Sequence, residues 1–294
     1  MLLQKCGAAL NKIDWWKGLH KHSIITLLSD FGLRDSYVAE MKAVILSIFP
    51  NVQIVDISHE VRKFDIRMGA FLLARAAQFF PKGTVHVAVV DPGVGTERRP
   101  IIVETEKSFY VGPDNGLLML SAQRENIRHV YVIENRKYML RCISRTFHGR
   151  DIFAPAAAYL ASGIPPSELG PEIYDPIMPQ FAKPKVLKNS IKGEIIYVDD
   201  FGNLVTNITD FDLKLLEIEE GDNIIVELGG EEVLLKICKA YGEVQTGMPL
   251  AIIGSCNFLE ISVNQGNASK FFGVKDGEEI IVYKLGNRLL RVEA

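Results

Sequence analysis

From Ser23 to about Ala182, short apolar runs alternate with stretches in which apolar residues return every three or four positions. Ile24–Leu28, Val52–Ile57, Thr84–Val90, Ile101–Glu104 and Val130–Ile133 read as strands, several of them apolar throughout and therefore buried on both faces. Ser36–Phe49 and Asp65–Phe80 carry the i, i+3, i+4 spacing of amphipathic helices, stopped by Pro50 and Pro81, and Asp65 is placed to cap the second. A further helix is expected over about Arg150–Leu160. Strand and helix in alternation predict an α/β domain over 23–182, a mainly parallel sheet flanked by helices with ligand sites at the carboxyl ends of its strands.

The pattern then changes. Residues 183–188, with Pro184 and three lysines, read as a linker. Beyond them Ile191–Val198, Asn203–Ile208, Asn223–Leu228, Glu232–Cys238, Leu250–Gly254, Phe258–Val263 and Glu279–Tyr283 are short strands separated by Gly, Asn and Asp turns, with one helical patch at Asp210–Leu216. This predicts a smaller antiparallel β-barrel or sandwich over 189–294. Residues 1–22 read as an N-terminal extension, disordered or forming a short amphipathic helix that docks on a partner.

Composition narrows the chemistry. A net charge of -3 without basic blocks lacks the footprint of a nucleic-acid binder, so a small-molecule ligand is expected. No apolar run reaches the ~18 residues of a membrane span. The four cysteines, Cys6, Cys142, Cys238 and Cys256, are far apart with no C-x-x-C, which argues against a zinc site and a disulfide framework and fits a reducing cytoplasm. No metal motif is present, and no cofactor is expected.

Candidate chemistry collects at predicted strand ends. Asp30, after the first strand, either caps the helix beginning near Ser36 or accepts hydrogen bonds from both hydroxyls of a ribose. Asp35 adds a second acid on the same loop, a pair suited to an amine. Asp91–Thr96, D-P-G-V-G-T, has glycines that permit close backbone approach but no lysine for a phosphate loop; Asp91 is a turn residue or a catalytic acid. Of Arg98 and Arg99, one need point inward. Asn115, in P-D-N-G, opens a turn or faces the cleft, and His148 sits in F-H-G-R-D just before a helix. His59 follows the second strand and has a minor claim. In the second domain, Tyr197–Asn203 and Gly254–Asn264 are junctions dense in side-chain donors and acceptors.

In this order S-D-F-G-x-x-D at Ser29–Asp35, D-P-G-V-G-T, P-D-N-G at Pro113–Gly116, F-H-G-R-D at Phe147–Asp151, D-x-F-G-N at Asp199–Asn203 and the Gly254–Asn264 segment resemble the S-adenosyl-L-methionine (SAM) hydroxide adenosyltransferases, or SAM hydrolases, relatives of the fluorinase and chlorinase enzymes. The resemblance runs from Ser23 to Ala294. It implies hydrolysis of SAM to adenosine and methionine, and a homotrimer with each site between the first domain of one subunit and the second domain of its neighbour. It places Asp30 at the ribose diol, Asp35 and Asp199 near the methionine amine, Asn203 at the adenine edge, Tyr241 and Phe64 against the adenine and ribose, and Ser255 at the methionine carboxylate. Asn115, Phe147, Gly149 and Val263 join the substrate-binding set, and Asp91, Arg98 and His148 form the trio that handles water. Cys256 stands where the halogenating branch has an arginine, and Phe64 where it has a tryptophan.

Those residue types suit attack at ribose C5′. The leaving group is a neutral thioether departing from a sulfonium, so no acid is needed; water must lose a proton, and Asp91 or His148 can take it. Arg98 can hold Asp91 ionised or stabilise developing hydroxide. Two other readings remain at this stage: a SAM- or adenosine-binding protein without turnover, and a halide-using transferase. Against the second, a carboxylate at Asp91 repels a halide.

Overall fold

The computed structural model describes residues 23–179 and 183–285. The N-terminal extension, residues 1–22, lies outside them. The chain forms two compact units. One takes in the described residues up to Phe64, Ala76–Asp114 and Ala122–Pro176; the other takes in Asp65–Arg75, Asn115–Ser121 and the described residues from Ile177 onward.

The first unit is built on a six-stranded sheet. Its strands are β1 (Ile24–Ser29), β2 (Gln53–Ser58), β3 (Val85–Val89), β4 (Pro100–Thr105), β5 (Phe109–Pro113) and β6 (Ile127–Val132), in the order β2-β1-β3-β5-β4-β6. β2, β1, β3 and β5 pair in parallel, and β4 runs against both β5 and β6. Ile25, Leu27, Val85, Val87 and Val111 form one core with Met41 and Ile45 of α1 (Tyr37–Ile48) and the alanine-rich α4 (Ala154–Ala161). Small side chains on α4 let it pack closely on α1. Asp65 accepts from Met68 N at 2.9 Å, so the expected cap of α2 (Ile66–Ala77) forms.

The second unit contains a closed barrel. β8 (Ser190–Val198), β9 (Leu204–Thr209), β10 (Asn223–Leu228), β11 (Glu231–Cys238), β12 (Pro249–Ile253), β13 (Phe258–Val263) and β14 (Glu279–Lys284) run in the order β14-β10-β11-β12-β13-β9-β8, and β14 pairs with β8 to close the ring. Only β11 and β12 among these pairs are parallel. Closure removes the exposed edges that a sheet of this length would present. Within the stretch read as a linker, Lys185–Val186 (β7) adds to β8. Ile191, Leu204, Leu259, Ile261 and Val282 fill the interior. The sequence thus delivers the α/β and barrel classes its periodicities imply.

Among the buried polar groups of the first unit, His86 is fully sealed. His86 Nδ1 lies 2.8 Å from Thr26 Oγ1, its ring stacks on Tyr110 at 4.9 Å, and its buried Nε2 has no hydrogen-bond partner. Burial, aided by the positive charge of Lys107, pushes its pKa down to about 3. The folded chain therefore keeps His86 neutral where the unfolded chain takes up a proton, and stability is fully present above ~6.5 and lost as pH falls from there toward 3. Replacing His86 with Gln should flatten this limb: the loss in urea unfolding free energy between pH 7 and pH 4.5 should shrink by roughly 2 kcal/mol. An unchanged pH slope would refute it.

Candidate active site

The parallel strands of the first unit deliver their chemistry at their carboxyl ends, as α/β sheets do. Asp30 follows β1 and is buried. It does not cap α1, whose first turn begins at Ser36 with no side-chain cap. Instead one carboxylate oxygen accepts from Phe64 N at 2.8 Å, while its backbone carbonyl accepts from Lys63 Nζ. Phe64 reaches this position at φ 66°, in the left-handed region that a residue with a Cβ rarely adopts, and its ring is 69% exposed. Asp35 lies on the exposed bend that precedes α1.

Asp91 follows β3 and is gripped at both oxygens by Arg98: Nε donates to Oδ1 at 3.1 Å and Nη2 to Oδ2. The same Nη2 lies 3.1 Å from His148 Nδ1. The side chains of Arg98 and Asp91 are only 8% and 5% exposed, and the guanidinium lies over the Phe153 ring. Arg98 Nη1 is buried without a hydrogen-bond partner. The neighbouring Arg99 turns elsewhere, to Asp114 and Asp175, so one arginine of the two points inward. Gly95 explains how the two loops meet: at φ 76°, a Cβ there would stand 2.1 Å from the Arg145 carbonyl. Only glycine lets the Asp91 loop lie against the loop that carries His148.

His148 precedes a π-helical turn at Gly149–Phe153 that leads into α4. Such turns carry functional residues often, because the extra residue re-aims the side chains beside it. Asp151, fully buried in the turn, accepts from Ser144 N at 2.7 Å and from Arg150 Nε at 2.7 Å, and so pins the loop. Phe147 is buried in an aromatic cluster with Phe31 and Tyr37, and Gly149 packs against Phe147 and Met41. Burial first, and then the Arg98 charge, hold the His148 pKa below its ordinary value. Because a guanidinium only donates, Nδ1 offers its lone pair to Arg98, and the neutral ring carries its proton on Nε2.

In the second unit a cavity of about 770 Å³ is lined by Asp199, Asn203, Tyr241, Ser255 and Val263 together with Arg75, Phe201 and Glu260. Asp199 holds its own turn, accepting from Phe201 N and from Asn203 N and Nδ2 at 2.9–3.0 Å. Asn115 is a turn residue here, its Oδ1 accepting from Leu117 N at 3.1 Å. Cys256 is buried beside Phe71 and Phe258, whereas Ser255 is exposed at the cavity. Sequence reasoning missed Arg75, and took in Phe201 and Glu260 only as parts of the Tyr197–Asn203 and Gly254–Asn264 segments without assigning them. The signal for Glu260 was present: a lone acid inside β13, which is buried along its whole length. Burial raises its pKa, opposed by Arg75, and Tyr241 Oη lies 3.4 Å away. Gly254 leaves room for this side chain: a Cβ there would stand 1.9 Å from Glu260 Oε1 and displace the carboxylate.

Among the described residues no three His, Cys, Asp or Glu side chains cluster as metal ligands, and no helix is long and apolar enough to cross a membrane.

Residues 25–170 match the model of the SAM hydroxide adenosyltransferase N-terminal domain, and residues 193–281 that of the C-terminal domain. The chain belongs to the SAM hydroxide adenosyltransferase family. Among members of wider reach, the (R)-S-adenosyl-L-methionine hydrolase of Thermus thermophilus is 40% identical over 260 residues, covering 86% of this chain and 96% of that protein. A fluorinase of an Actinoplanes species is 29% identical over 290 residues, covering 89% and 97%. The crystal structure of an uncharacterized conserved protein from Thermotoga maritima superposes with a TM-score of 0.83 at 41% identity, covering 88% of this chain and all of that one. The motifs of this SAM hydroxide adenosyltransferase chain that carried the resemblance fall within the matched residues.

Electrostatics of the trio can be read directly. Arg98 lowers the His148 pKa and Asp91 raises it. Arg98→Ala should therefore move the His148 titration upward, and Asp91→Asn should move it further down, as followed by NMR of the ring proton on Cε1. Shifts of the same sign in both variants would refute this account of the coupling.

Proposed function

We propose that this protein hydrolyses SAM to adenosine and L-methionine, by in-line attack of activated water at ribose C5′. The observation that carries the reading is Arg98 donating to both oxygens of Asp91 and to His148 at once. A guanidinium held beside a carboxylate base favours negative charge developing on a nearby oxygen. The His148 lone pair at Nδ1 is committed to Arg98, so Asp91 is assigned as the proton acceptor; each of its oxygens keeps a second lone pair for water. His148 holds the guanidinium from the other side. No acid is required, because the thioether leaves neutral, and the reading needs neither metal nor cofactor.

Substrate positions follow the same logic. Asp30, fixed by Phe64 N, is assigned to the ribose diol. Asn203 and Tyr241 line a cavity with apolar walls that suits a purine, and Asp35 and Asp199 are assigned to the methionine ammonium. Ser255 takes the carboxylate, with Cys256 turned into the core; Asn115, Phe147, Gly149 and Val263 frame the site. A homotrimer, with each site shared between subunits, is part of the proposal. It is supported by the exposure of Leu33 and Phe64 beside the Asp30 loop and of Phe201 at the cavity, apolar groups at sites of proposed contact. A cytoplasmic setting is supported by the free thiols of Cys142, Cys238 and Cys256.

The reaction is tested by incubation with SAM in oxygen-18 water and in high chloride. Adenosine labelled at the 5′-hydroxyl is the expected product; unlabelled adenosine, 5′-chloroadenosine as main product, or tight binding without turnover would overturn hydrolysis. Asp91→Asn should lower kcat by roughly 10²–10⁴-fold with little change in KM. The shared site is tested by mixing Asp91→Asn with Asn203→Ala protein, each defective alone. Exchange of subunits should restore up to about a quarter of the sites. No recovery after exchange would place each site within one chain.

A further inference from the structure

Ser29, His59 and Asp56 form a constellation that resembles a nucleophilic triad but faces the wrong way for one. His59 Nδ1 lies 2.7 Å from Ser29 Oγ, His59 Nε2 lies 3.1 Å from Asp56 Oδ1, and Lys42 Nζ donates to Asp56 Oδ2 at 2.6 Å. Ser29 and His59 are both buried, so no substrate reaches the hydroxyl. A nucleophilic serine must be open to its electrophile.

One arrangement of protons satisfies these contacts. Burial, the largest effect on Asp56, pushes its pKa up, but hydrogen bonds from Lys42 and His59 bring it below the ordinary carboxylate value. An ionised Asp56 favours a ring proton on His59 Nε2, although the contact is bent away from a full hydrogen bond. Nδ1 then accepts from the Ser29 hydroxyl. Ser29 Oγ in turn accepts from Phe31 N at 3.3 Å.

Where this network meets the loop after β1, its contacts fall on the residues that bracket Asp30. Ser29 precedes it and Phe31 follows it. The His59 carbonyl accepts from Gly32 N at 2.7 Å, and the Ser29 carbonyl from Val61 N at 3.4 Å. Farther along the same loop, Lys63 and Phe64 reach Asp30 itself. The loop after β2 thus clasps the loop after β1 from Ser29 to Gly32, with His59 at the buried end and Phe64 at the open end.

We infer that Ser29, His59 and Asp56 are positioning residues that fix the Asp30 carboxylate for the two hydroxyls of a ribose, through a hydrogen-bond relay that points into the protein. This inference rests on the proposed adenosyl reading of the site. A carboxylate discriminates a diol from its deoxy counterpart only while both of its acceptor directions are held, so loss of the relay should erode ribose recognition before it erodes binding of the base.

The experiment is calorimetric binding of adenosine and 2′,3′-dideoxyadenosine to the full chain, which does not depend on turnover, with thermal melting to confirm folding. Wild type should prefer adenosine by about tenfold or more, and Asp30→Asn should abolish the preference. Ser29→Ala and His59→Phe should reduce the preference to within about twofold while affinity for the dideoxy ligand changes little. His59→Asn, which retains an acceptor near the Nδ1 position, should keep most of it. Asp56→Ala, at the partly exposed end where folding is least at risk, should lose part of it. Wild-type preference in Ser29→Ala, His59→Phe and Asp56→Ala, with Asp30→Asn impaired, would overturn the relay and leave the adenosyl reading intact. Absence of adenosine binding or of any preference in wild type would overturn the adenosyl reading and the relay with it.

Discussion

Arg98 ties together groups that lie far apart in sequence. Its guanidinium joins the turn after β3 to the loop before α4, and it does so where the Arg98 and Asp91 side chains are almost sealed from solvent. A buried ion pair of this kind is weak evidence for stability, because removing two charges from water offsets most of their attraction. Its value lies in geometry: losing one partner would leave the other charge buried and uncompensated, at about 3–5 kcal/mol, so the arrangement has few alternatives. Gly95 removes the steric obstacle to that approach, and Asp151 pins the loop on the other side by holding Ser144 N and Arg150. The bidentate contact also decides which oxygen directions of Asp91 remain open.

Much of this architecture is legible in the chain. Apolar runs locate β1, β2 and β3 to within a residue or two, and Pro50 and Pro81 follow the ends of α1 and α2. The acids at strand ends are legible for the same reason, since a polar residue directly after a buried apolar run marks the rim of a sheet. β5, Phe109–Pro113, escapes because its few residues sit between β4 and a turn with no polar alternation to set them apart. The π-helical turn escapes because helical periodicity does not register one extra residue. Barrel closure by β14 on β8 joins strands separated by the rest of the domain, and no local pattern encodes that pairing.

Pairwise contacts were beyond reach for a related reason. Each of Asp30, Asp91 and His148 carries an ordinary structural explanation when read alone, and only spatial company separates the alternatives. Asp91 proves to be both a turn residue, with Val94 N donating to its carbonyl, and the partner of Arg98. Asn115 likewise serves its turn, its Oδ1 accepting from Leu117 N. His59 had little to recommend it in sequence, yet it lies at the base of the loop that clasps Asp30.

In the proposed reaction the choice of nucleophile also follows from charge. Two unit charges about 5 Å apart repel by roughly 3 kcal/mol at an effective dielectric near 20, so an ionised Asp91 opposes a halide on its own side of the pair, a repulsion that Arg98 partly offsets. Water is neutral on entry and meets no such barrier. As it surrenders its proton to Asp91 the carboxylate is neutralised, and the negative charge passes from Asp91 to the attacking oxygen, where the Arg98 guanidinium can stabilise it. Arg98 would thus interact more strongly with the developing hydroxide than with the water that enters, which is the difference in binding that accelerates a reaction. The same carboxylate that makes the site hostile to halide makes it competent for water.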